Sequence, residues 1–241
     1  MREVSSAVVS DLAPSGVLRA AINLGNPVVA QGTPDAPQGV AVDIAREIAA
    51  RLDLPAEFPC FNAARESLQA IMTGQADICF LAVEPARAAE IAFSAPYVLI
   101  EGVFAVPGDS RLTTPGDVDS PGVRIGVNRG SAYDLFLSRT LRHATLVRGP
   151  QGTQEFLTHN LDAAAGIREP MTEFVRTHPG LRLIEERFME IRQAVGTVRT
   201  KRPETTRFLH ELVEELKASG FVADSLRRSG QSAAVAPPAP A

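Results

Sequence analysis

The chain has 241 residues, 45% of them hydrophobic and 22% charged, a balance that excludes wholesale disorder and leaves enough apolar side chains for a sizeable core. Its 28 acidic residues outnumber 24 basic ones and give a net charge of −4; nucleic acid would select a basic stripe, so none is expected as a partner. No apolar run reaches the roughly 18–20 residues that a membrane-spanning helix needs, and at this length the chain is one large domain or two small ones.

Residues 1–14 read as a loose lead-in that ends at Pro14, Ser15 and Gly16. Glu3 and Asp11 interrupt its one apolar patch, and it lacks the charged start and small-residue cleavage site of a secretory signal. The expectation is a mature chain or one that stays in the cytosol. A strand is predicted over residues 17–22. Ile44, Ala45, Ile48, Ala49 and Leu52 then recur at helical spacing, with Asp43 as the expected cap. A short strand at 56–58 follows, then a helix through Leu68, Ile71 and Met72 stopped by Gly74, then a buried strand at 77–82. That order, β-α-β-α-β, is the pattern of a parallel sheet covered by helices.

The pattern restarts with a strand at 123–127 and a helix at 131–141 whose apolar side is Leu135, Phe136 and Leu137. A strand at 144–147, a helix across 154–158 and a strand at 161–166 follow. Phe208, Leu209, Leu212, Val213 and Leu216 fit one face of a long helix closed by Ser219 and Gly220. Residues 231–241, rich in Pro and Ala, are expected to be a disordered tail. Two α/β units in succession with one helix left over predict two lobes, although a single six-stranded sheet would read the same way.

Cys60 and Cys79 are the only cysteines, they form no C-x-x-C pair, and the four histidines lie far from both. No structural zinc and no cofactor is therefore expected. Cys79 sits inside the apolar strand and reads as a small core hydrophobe. A disulfide between the two would have to join two strands and is set aside. Nothing matches a Ser-His-Asp set or a phosphate loop.

Five stretches together resemble the bacterial solute-binding proteins of family 3, the polar-amino-acid receptors of ABC transporters. They are residues 39–52 (GVAVDIAREIAARL), 68–77 (LQAIMTGQAD), 85–87 (PAR) followed by 93–97 (FSAPY), 126–131 (GVNRGS) and 217–221 (KASGF). The resemblance covers about residues 15–229. It implies an α/β fold of two Rossmann-like lobes joined by a two-strand hinge, the periplasmic binding protein-like II plan. Lobe 1 would take residues 15–101 plus 194–230, and lobe 2 residues 102–193. It also implies a small carboxylate-bearing ligand, delivery to an ABC permease, a periplasmic location, no membrane insertion and a monomer.

Carried over residue by residue, the resemblance places Arg87 on the α-carboxylate of the ligand, a role that suits the guanidinium fork. Taken alone, Arg87 is a solvated arginine in the first turn of a helix. Gly130 and Ser131, between a strand and a helix, would receive the same carboxylate from the other lobe through backbone N–H and hydroxyl; the plain reading of Ser131 is a helix cap. Asn23 and Asn26 follow the first strand, where they either hydrogen-bond a polar ligand or close turns. Phe61 is an aromatic wall or a core residue. Ala82 stands at the ligand-facing end of the third strand without the hydroxyls common in the family. Arg168 lies where the family carries an aspartate for the ligand's ammonium group. Two cleft arginines would favour a dicarboxylate or other anionic metabolite, unless Arg168 lies on the surface.

The leading reading is a binding protein without chemistry. The runner-up is an enzyme on the same fold, similar to cyclohexadienyl dehydratases, with Glu84, Glu169 or Glu173 as general acid. A third is a cytosolic sensor domain.

Overall fold

The computed structural model describes residues 4–240. They fall into two compact units, one built from the chain up to Leu99 and from Arg192 onward, the other from Ile100–Ile191.

The first unit opens with helix α1 (Ser6–Leu12), whose N–H groups are capped by the Ser5 hydroxyl. Strand β1 (Leu18–Asn23), the hairpin β2 (Gln31–Thr33) and β3 (Ala36–Gln38), helix α2 (Val40–Leu52), strands β4 (Ala56–Glu57) and β5 (Cys60–Phe61), helix α3 (Ala64–Met72), strand β6 (Ile78–Ala82) and the single-turn helix α4 (Pro85–Ala88) follow. β1 is the organising strand, pairing in parallel with β4, β5 and β6. Ala20 and Ile22 are fully buried, as are Val40, Ile44, Ala45 and Ile48 along α2, whereas Ala21 packs in the cluster with Ala70 and Ile71 of α3. The start of α2 differs from expectation. Gly39, not Asp43, is the cap: its φ is 106°, and a Cβ there would come within 2.7 Å of the Gln31 carboxamide oxygen and 2.8 Å of the Val29 carbonyl, so a glycine is required. Asp43 sits inside the first turn, and its carboxylate accepts from the Ser225 hydroxyl at 2.6 Å and from Arg228 at 2.9 Å.

Strand β7 (Ile91–Pro107) carries the chain into the second unit. There helix α5 (Pro115–Val118), strand β8 (Arg124–Asn128), helix α6 (Ala132–Thr140), strand β9 (Thr145–Gly149), helix α7 (Gly152–Thr158), strand β10 (Ala163–Ile167) and helix α8 (Arg168–Thr177) follow. β8 pairs in parallel with β9 and β10, and β10 runs antiparallel to the second half of β7. Helix α7 lies so close to β8 that a Cβ on Gly126 would sit 2.3 Å from the Gly152 carbonyl oxygen. Val103, Ala105, Phe156, Leu161, Ala164 and Met171 form its core.

Strand β11 (Leu181–Val198) returns to the first unit, where residues 193–196 run antiparallel to β6. Helices α9 (Pro203–Ala218) and α10 (Phe221–Arg228) and strand β12 (Ala234–Val235) end the chain. The architecture is α/β, with two Rossmann-like lobes joined by two strands.

Both ends of the chain differ from expectation. Residues 6–12 are helical because Val8 and Leu12, one turn apart, are buried and because the Asp11 carboxylate accepts from the Arg202 N–H at 2.9 Å and the Thr205 hydroxyl at 2.6 Å. At the other end, β12 adds to β7 with Ala234 opposite Leu99 and Val235 opposite Val98. The Lys217 ammonium fastens the tail, donating to the Pro96 carbonyl at 3.1 Å and the Pro237 carbonyl at 2.9 Å. Backbone pairing needs no apolar periodicity, so a Pro- and Ala-rich composition does not reveal it. Residues 1–3 and 241, which belong to the expected lead-in and tail, lie outside the described residues. Cys60 and Cys79 are free thiols, and burial pushes the Cys79 thiol up to about 12.

Candidate functional site

The carboxyl ends of β1, β5 and β6 bring Asn23, Phe61 and Ala82 to one edge of the first unit's sheet, the edge at which open α/β sheets hold ligands. The Asn23 side-chain oxygen accepts the Gly25 N–H at 3.0 Å, and that of Asn26 accepts the Val28 N–H at 3.2 Å. Each asparagine therefore closes its own Asx turn. Phe61, partly buried, packs against the cluster of Ala21, Ala70, Ile71 and Leu81.

Arg87 is placed by its neighbours. Glu84 is extended (φ −128°, ψ 141°) before a proline in the first helical position, as a residue preceding proline must be. The single turn that follows swings Arg87 back onto the strand it has just left, and its Nη1 donates to the Ala82 carbonyl at 3.1 Å. Arg87 is not the solvated arginine of a helix start, for only 2% of it is exposed. Burial lowers its pKa, and the pull of Glu84 in the opposite direction does not make up the difference.

Beside this group lies a residue that sequence reasoning missed. Gln193 of β11 is directly opposite Ala82, is 5% exposed, and its side-chain oxygen has no hydrogen-bond partner. Its strand carries no periodic signal that would have singled it out.

In the second unit, Gly130 takes φ 72°, and Ser131 is the cap of α6, its hydroxyl oxygen accepting the Asp134 N–H at 3.0 Å. The Asp134 carboxylate returns the contact, accepting the Gly130 N–H at 2.8 Å and the Arg148 Nε at 2.8 Å. The Ser131 N–H donates to the Asn128 carbonyl at 3.1 Å. The helix start is thus satisfied from within, and the Gly130 amide expected to face a ligand is engaged by Asp134.

Arg168 is paired within the second unit. Its Nε meets the Glu101 carboxylate at 2.5 Å, its Nη2 the Glu185 carbonyl at 2.6 Å, and its Nη1 lies 3.6 Å from the Glu185 carboxylate. Arg187 holds the other oxygen of Glu101 at 3.2 Å. The charge of Arg168 is thus matched inside its own unit by Glu101 and Glu185. The Arg168 hydrogen bond is the chief reason the Glu101 carboxyl is held below its ordinary value. A lowered carboxyl stabilises the fold above its unfolded pKa, and that contribution is lost as pH falls through the folded one; with the Glu101 side chain 38% exposed, it is small. In a carboxyl-resolved NMR titration, Arg168→Ala should move the Glu101 midpoint upward. A midpoint that stays in place would mean the pair does not form in solution.

Among the described residues, no group of three or more His, Cys, Asp and Glu side chains could hold a metal ion, and no helix is long and apolar enough to cross a membrane.

Comparison with known proteins bears on what this sheet edge does. The model of the bacterial extracellular solute-binding proteins, family 3, matches residues 18–229. A variant of ArgBP from T. maritima superposes with a TM-score of 0.75 at 21% identity, covering 92% of this chain and 99% of its own. An amino acid ABC transporter substrate-binding protein from Streptococcus pneumoniae, bound to L-arginine, gives 0.75 at 18% identity over 95% of this chain and 99% of its own. The ancestral amino acid-binding protein AncCDT-1, a precursor of cyclohexadienyl dehydratase, gives 0.73 at 18% identity over 91% of this chain and 97% of its own. Among curated protein sequences none matches significantly. At these identities the structural likeness establishes the fold, the periplasmic binding protein-like II plan.

Proposed function

The chain belongs to the bacterial extracellular solute-binding proteins of family 3, and on that premise we propose that it is a receptor that closes on a small carboxylate-bearing metabolite and delivers it to an ABC permease. The observation that carries the proposal is the buried guanidinium of Arg87 at the carboxyl end of β6, folded onto the Ala82 carbonyl. A carboxylate would meet it in the bidentate geometry a guanidinium favours. Asn23, Asn26, Phe61 and Ala82 would frame the solute in the first unit. Closure follows if the solute makes more contacts in the closed state than in the open one. The protein would work as a monomer, outside the cytoplasmic membrane.

An enzymatic reading is favoured by one observation. The Oε2 of Glu169, at the start of α8, is buried without a hydrogen-bond partner. Glu173, by contrast, is exposed and paired with Arg176.

A thermal-shift panel tests both. At about 100 times Kd, a bound solute stabilises by ~2.7 kcal/mol, which for a chain of this size raises Tm by about 5–10 °C. The panel would hold amino acids, dicarboxylates, prephenate and arogenate. A rise with an amino acid or organic acid supports the receptor, and conversion of arogenate or prephenate to an aromatic product supports the enzyme. No rise with any carboxylate would overturn the receptor.

A further inference from the structure

We infer that Gln193 is a specificity-determining residue of this site, whose side-chain oxygen accepts a hydrogen bond from an N–H group of the solute. The inference rests on the receptor reading and adds to it the class of group read beside the carboxylate.

The register places the residue. In the antiparallel pair of β6 and β11, Gln193 is opposite Ala82, Ala194 opposite Leu81 and Val195 opposite Phe80; opposed residues send their side chains to the same face. Cys79 and Leu81 pack in the cluster with Ala70 and Ile71 of α3, so Phe80, Ala82 and Gln193 occupy the other face. Ala82 offers only a methyl group there, which leaves room for the longer carboxamide at the strand end. It is also the residue whose carbonyl receives Arg87. An acceptor and a guanidinium thus flank one residue at the end of β6.

The acceptor is unoccupied, since the Gln193 Oε1 is buried and has no hydrogen-bond partner. A buried polar atom in that state is costly and is kept where something else satisfies it. The unpartnered atom is the carbonyl oxygen, an acceptor, which an ammonium, amide or guanidinium N–H satisfies and a second carboxylate, itself only an acceptor, does not. The solute class that fits is a carboxylate carrying an N–H group, such as an α-amino acid or an amide-bearing acid, rather than a plain dicarboxylate. The competing occupant is an internal water. The Tyr97 hydroxyl is also buried without a partner, and its ring meets Phe80 edge-on with centroids 6.1 Å apart.

The test is calorimetric titration of amino acids, each against its deaminated acid, which keeps no N–H group (L-glutamate against glutarate, L-leucine against 4-methylvalerate). Wild type, Gln193→Leu and the volume-matched Gln193→Met would be compared. Both variants should bind the amino acid about 10- to 100-fold more weakly and the deaminated acid within about threefold of wild type. Without solute, their Tm should equal or exceed that of wild type, because an unsatisfied acceptor has been removed. Equal losses on both members of a pair, or a lower Tm without solute, would assign Gln193 to packing or to an internal water and overturn the inference. Unchanged affinities in the variants would overturn this inference alone, whereas no binding to wild type would overturn the receptor reading and this inference together.

Discussion

Arg87→Ala should weaken solute binding by about 2–5 kcal/mol in calorimetric titration, the cost of leaving a desolvated carboxylate without its charged partner. The size follows from the surroundings. The guanidinium is buried, its pKa is already lowered by that burial, and among its surroundings the carboxylate of Glu84 pulls the other way. Because Glu84 is buried as well, removing the cation also disturbs the free protein, so Arg87→Lys is the cleaner companion. It keeps the charge beside Glu84 and gives up the fork, and it should lose about tenfold in affinity with little change in Tm. If both variants bind as wild type does, Arg87 has no part in holding the solute.

The largest effect on stability should come from Asp77, which ties three strands of the first unit. Its carboxylate accepts from Arg19 three times, from the backbone N–H at 2.8 Å, Nε at 3.0 Å and Nη2 at 2.7 Å. Its own N–H donates to the Arg19 carbonyl at 2.8 Å, and its carbonyl accepts the Thr197 hydroxyl at 2.9 Å. The hydrogen bond to Asp77 is the main reason the Arg19 pKa is raised. Asp77→Ala would strand a backbone N–H and a half-buried guanidinium together, and should cost about 3–5 kcal/mol, a large share of the roughly 5–15 kcal/mol that holds a domain together. Urea unfolding should show it as a lower midpoint at constant slope. Asp77→Asn, which keeps one acceptor oxygen, should lose less. A loss below about 1 kcal/mol for Asp77→Ala would show that the clasp contributes no more than an exposed ion pair.

Local chemistry is legible in the sequence where the deciding residues are neighbours along the chain. The stripe of Ile44, Ala45, Ile48 and Leu52 marks α2, Gly74 marks the end of α3, and Glu84 with Pro85 marks the turn that carries Arg87 to the end of β6. Where the deciding contact is distant, the sequence is silent. The start of α2 depends on what a Cβ at Gly39 would meet in the hairpin before it. Arg168 looks like a cation at a ligand position because its partner Glu101 is 67 residues away. The strands β7 and β11 run 17 and 18 residues, and each passes from one unit into the other. Their burial follows two different cores, so neither keeps one alternation throughout, and only the family resemblance implied them. Gln193 lay hidden for the same reason. Asp77 was legible as part of a motif, but its work is structural, since its carboxylate is committed to Arg19.

The central claim is that the Arg87 guanidinium grips the carboxylate of a bound solute. The most direct measurement is a crystal structure of the protein with the solute that gives the largest thermal shift. We expect both carboxylate oxygens of that solute on the Arg87 nitrogens at about 2.7–2.9 Å. A solute whose carboxylate is held elsewhere, out of reach of the Arg87 guanidinium, would contradict the account.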